Sequence, residues 1–279
     1  VDLEAHLADL VRQGDPDRFI ATLYAPQQCR RALLALYAFA LEVGSVRDRV
    51  REPMAGEFRL QWWRDIIEAG GEAGQGSPVA EGLLAAMAAH DLPSQPLLDL
   101  LDARIFDLYD DPMPSRNDLE GYCGETSSTI FQLAALILDP AAARGTADLS
   151  GHAGCAHAIA ALASSLPRQL ARGQCFIPLD ILAAVGTGPQ ALVERSDADA
   201  ATRAVAAFAA LGHEHLEAFR QQARTMPVQL RPAFLPVAMT KVYLDKVTAR
   251  PDTALAGIAG VSPLRRHWRL LRHAMRGWT

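Results

Sequence analysis

Arg30-Arg31-Ala32-Leu33-Leu34-Ala35-Leu36-Tyr37-Ala38-Phe39 is the stretch whose reading decides the fold. Pro26 stands where a first helical turn would begin. The apolar spacing carries that helix on through Leu33, Leu34, Leu36, Ala40, Val43 and Val46. Helical periodicity then dominates the rest of the chain, and no convincing alternating strand pattern appears. Pro53 opens a helix through Phe58, Leu60, Trp62, Trp63 and Ile66, which the glycines at 70, 71, 74 and 76 close. The spacing predicts further helices over Val79–Ala89, Gln95–Leu108, Leu119–Leu138, His152–Leu170, Ala198–Thr225, Pro227–Thr248 and Pro263–Arg276. Asn117 and Asp118 are candidate N-caps for the fourth of these, counting from Pro53. No repeat and no linker divides the chain. We therefore expect one all-α domain over residues 1–279, a bundle of antiparallel helices around a central, largely apolar cavity.

Composition narrows the function classes. The chain has 279 residues and a formal net charge of −5, so no global basic field argues for nucleic acid. Cys29, Cys123, Cys155 and Cys175 form no C-x-x-C pair, and no histidine stands at zinc-ligand spacing beside one. They read as small buried hydrophobes in a reducing cytosol. The start, with Asp2, Glu4 and Asp9, reads as an amphipathic helix rather than a signal peptide. No apolar run reaches the length of a membrane span. The expected location is cytoplasmic, with peripheral contact at the inner membrane of a bacterium as a candidate addition. The segment Leu264-Arg265-Arg266-His267-Trp268-Arg269-Leu270-Leu271-Arg272 is basic and amphipathic. It suits either docking on an anionic bilayer or, as the favoured reading, a terminal helix packed by Leu264, Trp268 and Leu271. None of the eight histidines is assigned a role, because neither His152/His157 nor His213/His215 has the spacing of a helical metal pair.

Landmarks recur in a fixed order: Asp17-Arg18-Phe19, the Arg30–Phe39 stretch, Trp62-Trp63-Arg64, Tyr122-Cys123, and Gly173 to Pro178 with Asp180. On these the chain resembles the squalene/phytoene synthase family over most of residues 17–182. The resemblance implies an isoprenoid-synthase-like helical fold. It also implies an activity that joins two isoprenyl diphosphates with magnesium held by aspartates on two facing helices. By the same resemblance Arg31, Tyr37, Phe39 and Tyr122 are candidate substrate-binding residues.

At the metal positions the chain departs from the family. Registered on Tyr37-Ala38-Phe39, the first aspartate cluster falls on Gly44, Ser45 and Asp48, and only Asp48 keeps a carboxylate. The second falls on Ser165 and Gln169, with Ala161 where an Asn is expected. The Ser-rich segment that helps bind diphosphate is replaced by Asp15-Pro16-Asp17-Arg18, an acidic run expected to repel phosphate. Asp48 is expected to form an ion pair with an arginine, given Arg47 and Arg49 beside it. The runs Ala38-Phe39-x-x-Glu42, Arg59–Arg64, Tyr122-x-x-Glu125-Thr126-x-Ser128 and Phe176-Ile177-Pro178-x-Asp180-Ile181 resemble a branch of the family that includes a mitochondrial assembly factor for respiratory complex I. That resemblance implies a bacterial relative.

Three functions follow as expectations, the last a membrane-surface interaction module acting through the basic C-terminal segment. The first is a catalytically silent accessory protein whose partner is a prenyl lipid or a respiratory-complex subunit, with no cofactor and no metal. The alternative is a magnesium-dependent prenyltransferase with a displaced site built from Asp48, Glu42, Glu125 and Asp180, with Tyr122 beside them. Four or more acidic side chains converging on one cavity would favour the enzyme.

Overall fold

The computed structural model describes residues 2–255 and 260–278. Among these residues every regular element is helical. The Gln27–Gly44 helix is the centre of one half, with Leu3–Gly14, Pro78–His90 and Thr129–Leu138 packed around it. Ala147–Ser164 is the centre of the other half, packed on Ala198–Ala223 and Val237–Ala249. The two halves share a continuous core of buried side chains that includes Tyr37, Phe39, Phe131, Phe208, Phe219 and Phe234. Burying such aromatic rings contributes on the order of 2–3 kcal/mol each, the main return against chain entropy.

Local chemistry breaks several helices that periodicity alone predicts as continuous, and the breaks shape the cavity. The central helix stops at Gly44 rather than running through Val46, and a separate turn of helix covers Val46–Arg49. The Ser45 hydroxyl donates to the Glu42 carbonyl at 3.0 Å, offering the backbone an alternative to continuing the ladder. Ser165 does the same at the end of Ala147–Ser164, donating to the Ala161 carbonyl at 2.9 Å, and Pro167 opens the short Leu166–Leu170 helix. The expected 119–138 helix starts earlier, at Arg116, capped by the Ser115 hydroxyl rather than by Asn117 or Asp118. It is interrupted by a π-helical turn, Gly124–Ser128, before continuing as Thr129–Leu138. The expected 227–248 helix is divided by Pro232 and Pro236 into Arg231–Phe234 and Val237–Ala249.

Trp63 is buried against Phe39 while its neighbour Trp62 faces outward, as adjacent helical positions require. The C-terminal helix Pro263–Arg276 corrects the packing expected of it. Leu270 is the residue it buries, whereas Leu264 and Trp268 are exposed. All four cysteines are buried free thiols. Among the described residues no helix is long and apolar enough to cross a membrane.

Candidate functional site

The break at Ser45 and the π turn meet around a cavity of about 670 Å³, a volume ordinary for a small-molecule site. Its apolar wall is made by Leu10, Ala38, Leu41, Ile130, Ala158 and Leu162. Thr126 and Ser127, presented by the π turn, line it too, as do Tyr122 and His157. Arg18, Arg49, Arg104 and Arg168 stand against Glu42 and Asp48 in the same lining. The cavity is therefore mixed, with an arginine-rich side that an apolar expectation did not contain. A smaller space of about 200 Å³ adjoins it, sharing Gly44, Asp48, Arg104, Tyr122 and Arg168 and adding Arg47, Arg172, Asp107, Ser165 and Gln169.

Of the expected substrate-binding residues, Tyr122 lines the cavity. Tyr37 is buried beneath it, with the Arg18 guanidinium carbon 5.3 Å from its ring centroid. Phe39 is fully buried against Trp63, a packing role. Arg31 is exposed two turns before Ala38 on the same helix and does not line the cavity. Of the four carboxylates of a displaced metal site, Glu42 and Asp48 line the cavity. The turn at Ser45 brings them to one space despite their angular offset on an ideal helix. Glu125 is exposed, and Asp180 accepts the backbone N–H groups of Arg116 and Ile181.

Asp48 is ion-paired, but its partners come from across the site rather than from Arg47 or Arg49. Arg172 donates to one carboxylate oxygen and Arg168 lies 3.4 Å from the other. With the Asp48 side chain about one-third exposed (34 %), the pair is worth about 1 kcal/mol. Asp48→Asn should lower the melting temperature by a few degrees; an unchanged melting temperature would contradict a stabilising pair. The positions of the second cluster bond to each other, while the buried Gln169 Oε1 has no hydrogen-bond partner. Gln169 Nε2 donates to Ser165 Oγ and to the Leu162 carbonyl, both at 2.8 Å. At the first cluster, Gly44 has no side chain, and Arg104 Nη2 lies 3.5 Å from where its Cβ would be. Arg104 donates to Asp107 at 2.9 Å and to the Tyr122 hydroxyl at 2.8 Å, and that hydroxyl donates to Asp107 at 2.7 Å. Burial opposes the Arg104 charge, yet Tyr122 and Asp107 outweigh it and hold the guanidinium above its ordinary pKa.

These residues do not fit a magnesium cluster. Among the described residues no three His, Cys, Asp or Glu side chains converge in a way that could hold a metal ion. The oxygens of Asp48 already face guanidinium groups. The Asp15–Arg18 segment also differs from its acidic appearance. Asp17 turns away to accept the Tyr243 hydroxyl at 2.7 Å and to meet Arg266 at 2.6 Å, so Arg18 is the member of the run that reaches the cavity. The carboxylate of Asp17 is pushed up by burial first and by Asp15 next, against Tyr243 and Arg266.

His157 supplies a pH dependence. Burial, followed by the charge of Arg18, pushes its imidazole down to about 4, with Asp15 opposing. A neutral histidine in the native state and an ordinary one in the unfolded chain leaves stability whole above about pH 6.5. Stability is then lost as pH falls from 6.5 toward 4, because the unfolded state takes up the proton first. His213, His215 and His273 are lowered as well, again mainly by burial. The measurement is therefore a difference: His157→Gln should reduce the loss of unfolding free energy between pH 7 and 4.5 by on the order of 2 kcal/mol. Equal acid limbs in the two proteins would contradict it.

Sequence spacing missed one cluster altogether. His152 and His215 meet across the Ala147–Ser164 and Ala198–Ala223 helices, Nδ1 to Nδ1 at 3.1 Å, and His215 Nε2 lies 3.1 Å from Glu120. Glu120 in turn accepts from Arg116, which also pairs with Glu214. Sixty-three residues separate the two histidines, so no local pattern could have joined them.

The family profile described as squalene/phytoene synthase matches residues 11–272. The chain belongs to the squalene/phytoene synthase family. Among curated relatives it is 29% identical over 245 residues to the mouse NADH dehydrogenase (ubiquinone) complex I, assembly factor 6, covering 86% of this chain and 72% of that one. It is 30% identical over 251 residues to the Drosophila melanogaster homolog, covering 87% and 74%. Among solved structures it is similar to squalene synthase HpnC from Alicyclobacillus acidocaldarius, with a TM-score of 0.73 at 21% identity over 90% of this chain and 94% of that one. A dehydrosqualene synthase in complex with a ligand gives a TM-score of 0.77 at 16% identity, over 97% and 94%. These likenesses establish the helical isoprenoid-synthase-like fold.

Proposed function

We propose that this chain is a non-catalytic accessory protein in the assembly of a respiratory NADH dehydrogenase, with its cavity holding a prenyl lipid rather than condensing two. The observation that carries the reading is the occupation of the metal positions. Gly44 lies under Arg104, Ser165 and Gln169 bond to each other, and Asp48 is held by Arg168 and Arg172. The likeness to complex I assembly factors over most of both chains supports the accessory role. Deleting the gene in its source organism should lower assembled NADH dehydrogenase on native gels while leaving squalene and phytoene unchanged. Loss of either hydrocarbon with an intact dehydrogenase would overturn the proposal.

The accessory protein works at the cytoplasmic face of a bacterial inner membrane, docked through its C-terminal helix. Leu264 is 82 % exposed and Trp268 67 % exposed. With Leu271 and Met275 they fall at i, i+4, i+7 and i+11, one stripe of the helix. Arg265, Arg272 and Arg276 are exposed beside them, and the Pro263–Arg276 helix contains no acidic residue although the chain as a whole is acidic. An exposed apolar stripe edged by arginine suits an anionic bilayer surface. Each arginine near such a surface contributes about 1 kcal/mol, so replacing these three by glutamine should weaken sedimentation with phosphatidylglycerol vesicles roughly 100-fold. Equal binding by the variant, or equal binding of wild type to phosphatidylcholine vesicles, would contradict the docking.

A further inference from the structure

We infer that the former metal site has been inverted in charge and binds the phosphate or diphosphate of its ligand directly through arginine, with no divalent ion. The inference deepens the reading of the cavity as a lipid site and rests on it for the apolar half of the ligand. Its own support is the polar half. The carboxylate positions hold Gly44, Ser45, Ser165 and Gln169, and guanidinium groups from neighbouring positions, which collect anions, face the space instead. Arg47, Arg104, Arg168 and Arg172 line the smaller space, against the carboxylates of Asp48 and Asp107 alone. Arg47 also reaches out to Asp110 at 3.4 Å, an exposed and long contact. The Nε–H groups of Arg47, Arg104 and Arg172 are buried and have no hydrogen-bond partner.

A surplus of half-buried guanidinium over carboxylate, with three buried Nε–H groups unpaired, favours an anion that completes it. A phosphate monoester carries a charge of about −1.5 to −2 at neutral pH, and arginine's planar fork matches its oxygens in pairs. Position 44 shows how the inversion was made. With no side chain there, the Arg104 guanidinium occupies the space a carboxylate would have entered, held in place by Asp107 and Tyr122. Arg168 is the adaptable member: its side chain is 63 % exposed, and its contact to Asp48 is 3.4 Å long, so it can turn to an incoming anion with little lost. The apolar wall at Leu41, Ile130 and Leu162 continues from this charged end. The ligand is thus an amphiphile with a phosphate or diphosphate head and a hydrocarbon tail.

Calorimetric titration of the whole protein tests this with inorganic diphosphate, farnesyl diphosphate and neutral farnesol, each in EDTA and again in magnesium. Farnesyl diphosphate should bind in EDTA at least tenfold more tightly than farnesol, with magnesium changing its Kd by less than twofold. Inorganic diphosphate should bind at the same site and compete. Arg168→Gln and Gly44→Asp should each weaken diphosphate binding about tenfold while leaving farnesol binding unchanged. The first removes an arginine and the second supplies Arg104 with an internal carboxylate, in a place where a Cβ makes ordinary contact. Binding that appears only with magnesium would overturn the inference in favour of a rebuilt metal site. Farnesol binding as tightly as farnesyl diphosphate would overturn it while leaving the lipid-site reading standing. No binding by either would overturn both.

Discussion

Gly154→Ala should destabilise the protein by about 3 kcal/mol, a fall in melting temperature of roughly 6–12 °C. The Ala147–Ser164 helix crosses the π turn at Gly154, so closely that a Cβ there would overlap the backbone nitrogen and Cα of Ser128. Those are backbone atoms, and no rotamer change can clear them. Ser128 is further fixed by its hydroxyl, which donates to the Gly151 carbonyl at 3.1 Å. The same turn presents Thr126 and Ser127 to the cavity, so the close crossing ties the fold to the site's shape. Gly151, one turn earlier on the same helix, meets nothing within 4 Å. Gly151→Ala should therefore stabilise slightly, by up to about 1 kcal/mol, through helix propensity alone. Thermal unfolding of the two variants side by side separates close packing from propensity, and similar melting temperatures would refute the backbone crossing.

The contrast between these two glycines also marks what a sequence can disclose. Both sit in an apolar helical pattern with nothing local to tell them apart. The Arg30–Phe39 stretch, by contrast, discloses its own burial, because an apolar run of that density has nowhere to go but the core. Proline at the openings of the Pro53–Ala69 and Pro263–Arg276 helices is equally legible, since its effect is confined to its own backbone. The helix ends at Ser45 and Ser165 were less so. Each depends on a serine turning back on its own helix, a local option that periodicity does not register.

The site was legible by subtraction. The loss of carboxylate at Gly44, Ser165 and Gln169 could be read from the register of the motifs, but what replaced them could not. Arg47 and Arg49 looked like the partners of Asp48 because they adjoin it in sequence. Arg168 and Arg172, four apart and flanking Gln169, are the ones that face it. Two arginines at helical spacing around a lost aspartate were the signal available. Arg104 had none, since its place beside Gly44 is set by the packing of the Gln95–Ile105 helix. The outward turn of Leu264 and Trp268 was hidden for a related reason. An amphipathic helix has an apolar stripe whether that stripe packs on the core or not, and only the exposure of Leu264 and Trp268 beside the buried Leu270 settles its direction.

The largest expected effect of the missing carboxylates is on chemistry. Ionising a prenyl diphosphate leaves a multiply charged group that must be neutralised as it departs. Losing one such transition-state contact typically costs a factor of about 10²–10³ in rate. Here Gly44, Ser165 and Gln169 supply no carboxylate, and Asp48 is engaged by Arg168 and Arg172. Arginine can hold the anion, but the lining around it offers Glu42 and Asp48 alone as acidic groups in the main cavity, too few for the metal-assisted departure. Such losses are not additive, yet several together should place turnover below detection. The direct measurement incubates purified protein with radiolabelled farnesyl or geranylgeranyl diphosphate and magnesium or manganese, then extracts apolar products. The account predicts no labelled hydrocarbon above a boiled control, whether or not the diphosphate binds. Squalene, phytoene or their cyclopropyl precursors formed well above that control would contradict it and make this chain a working prenyltransferase.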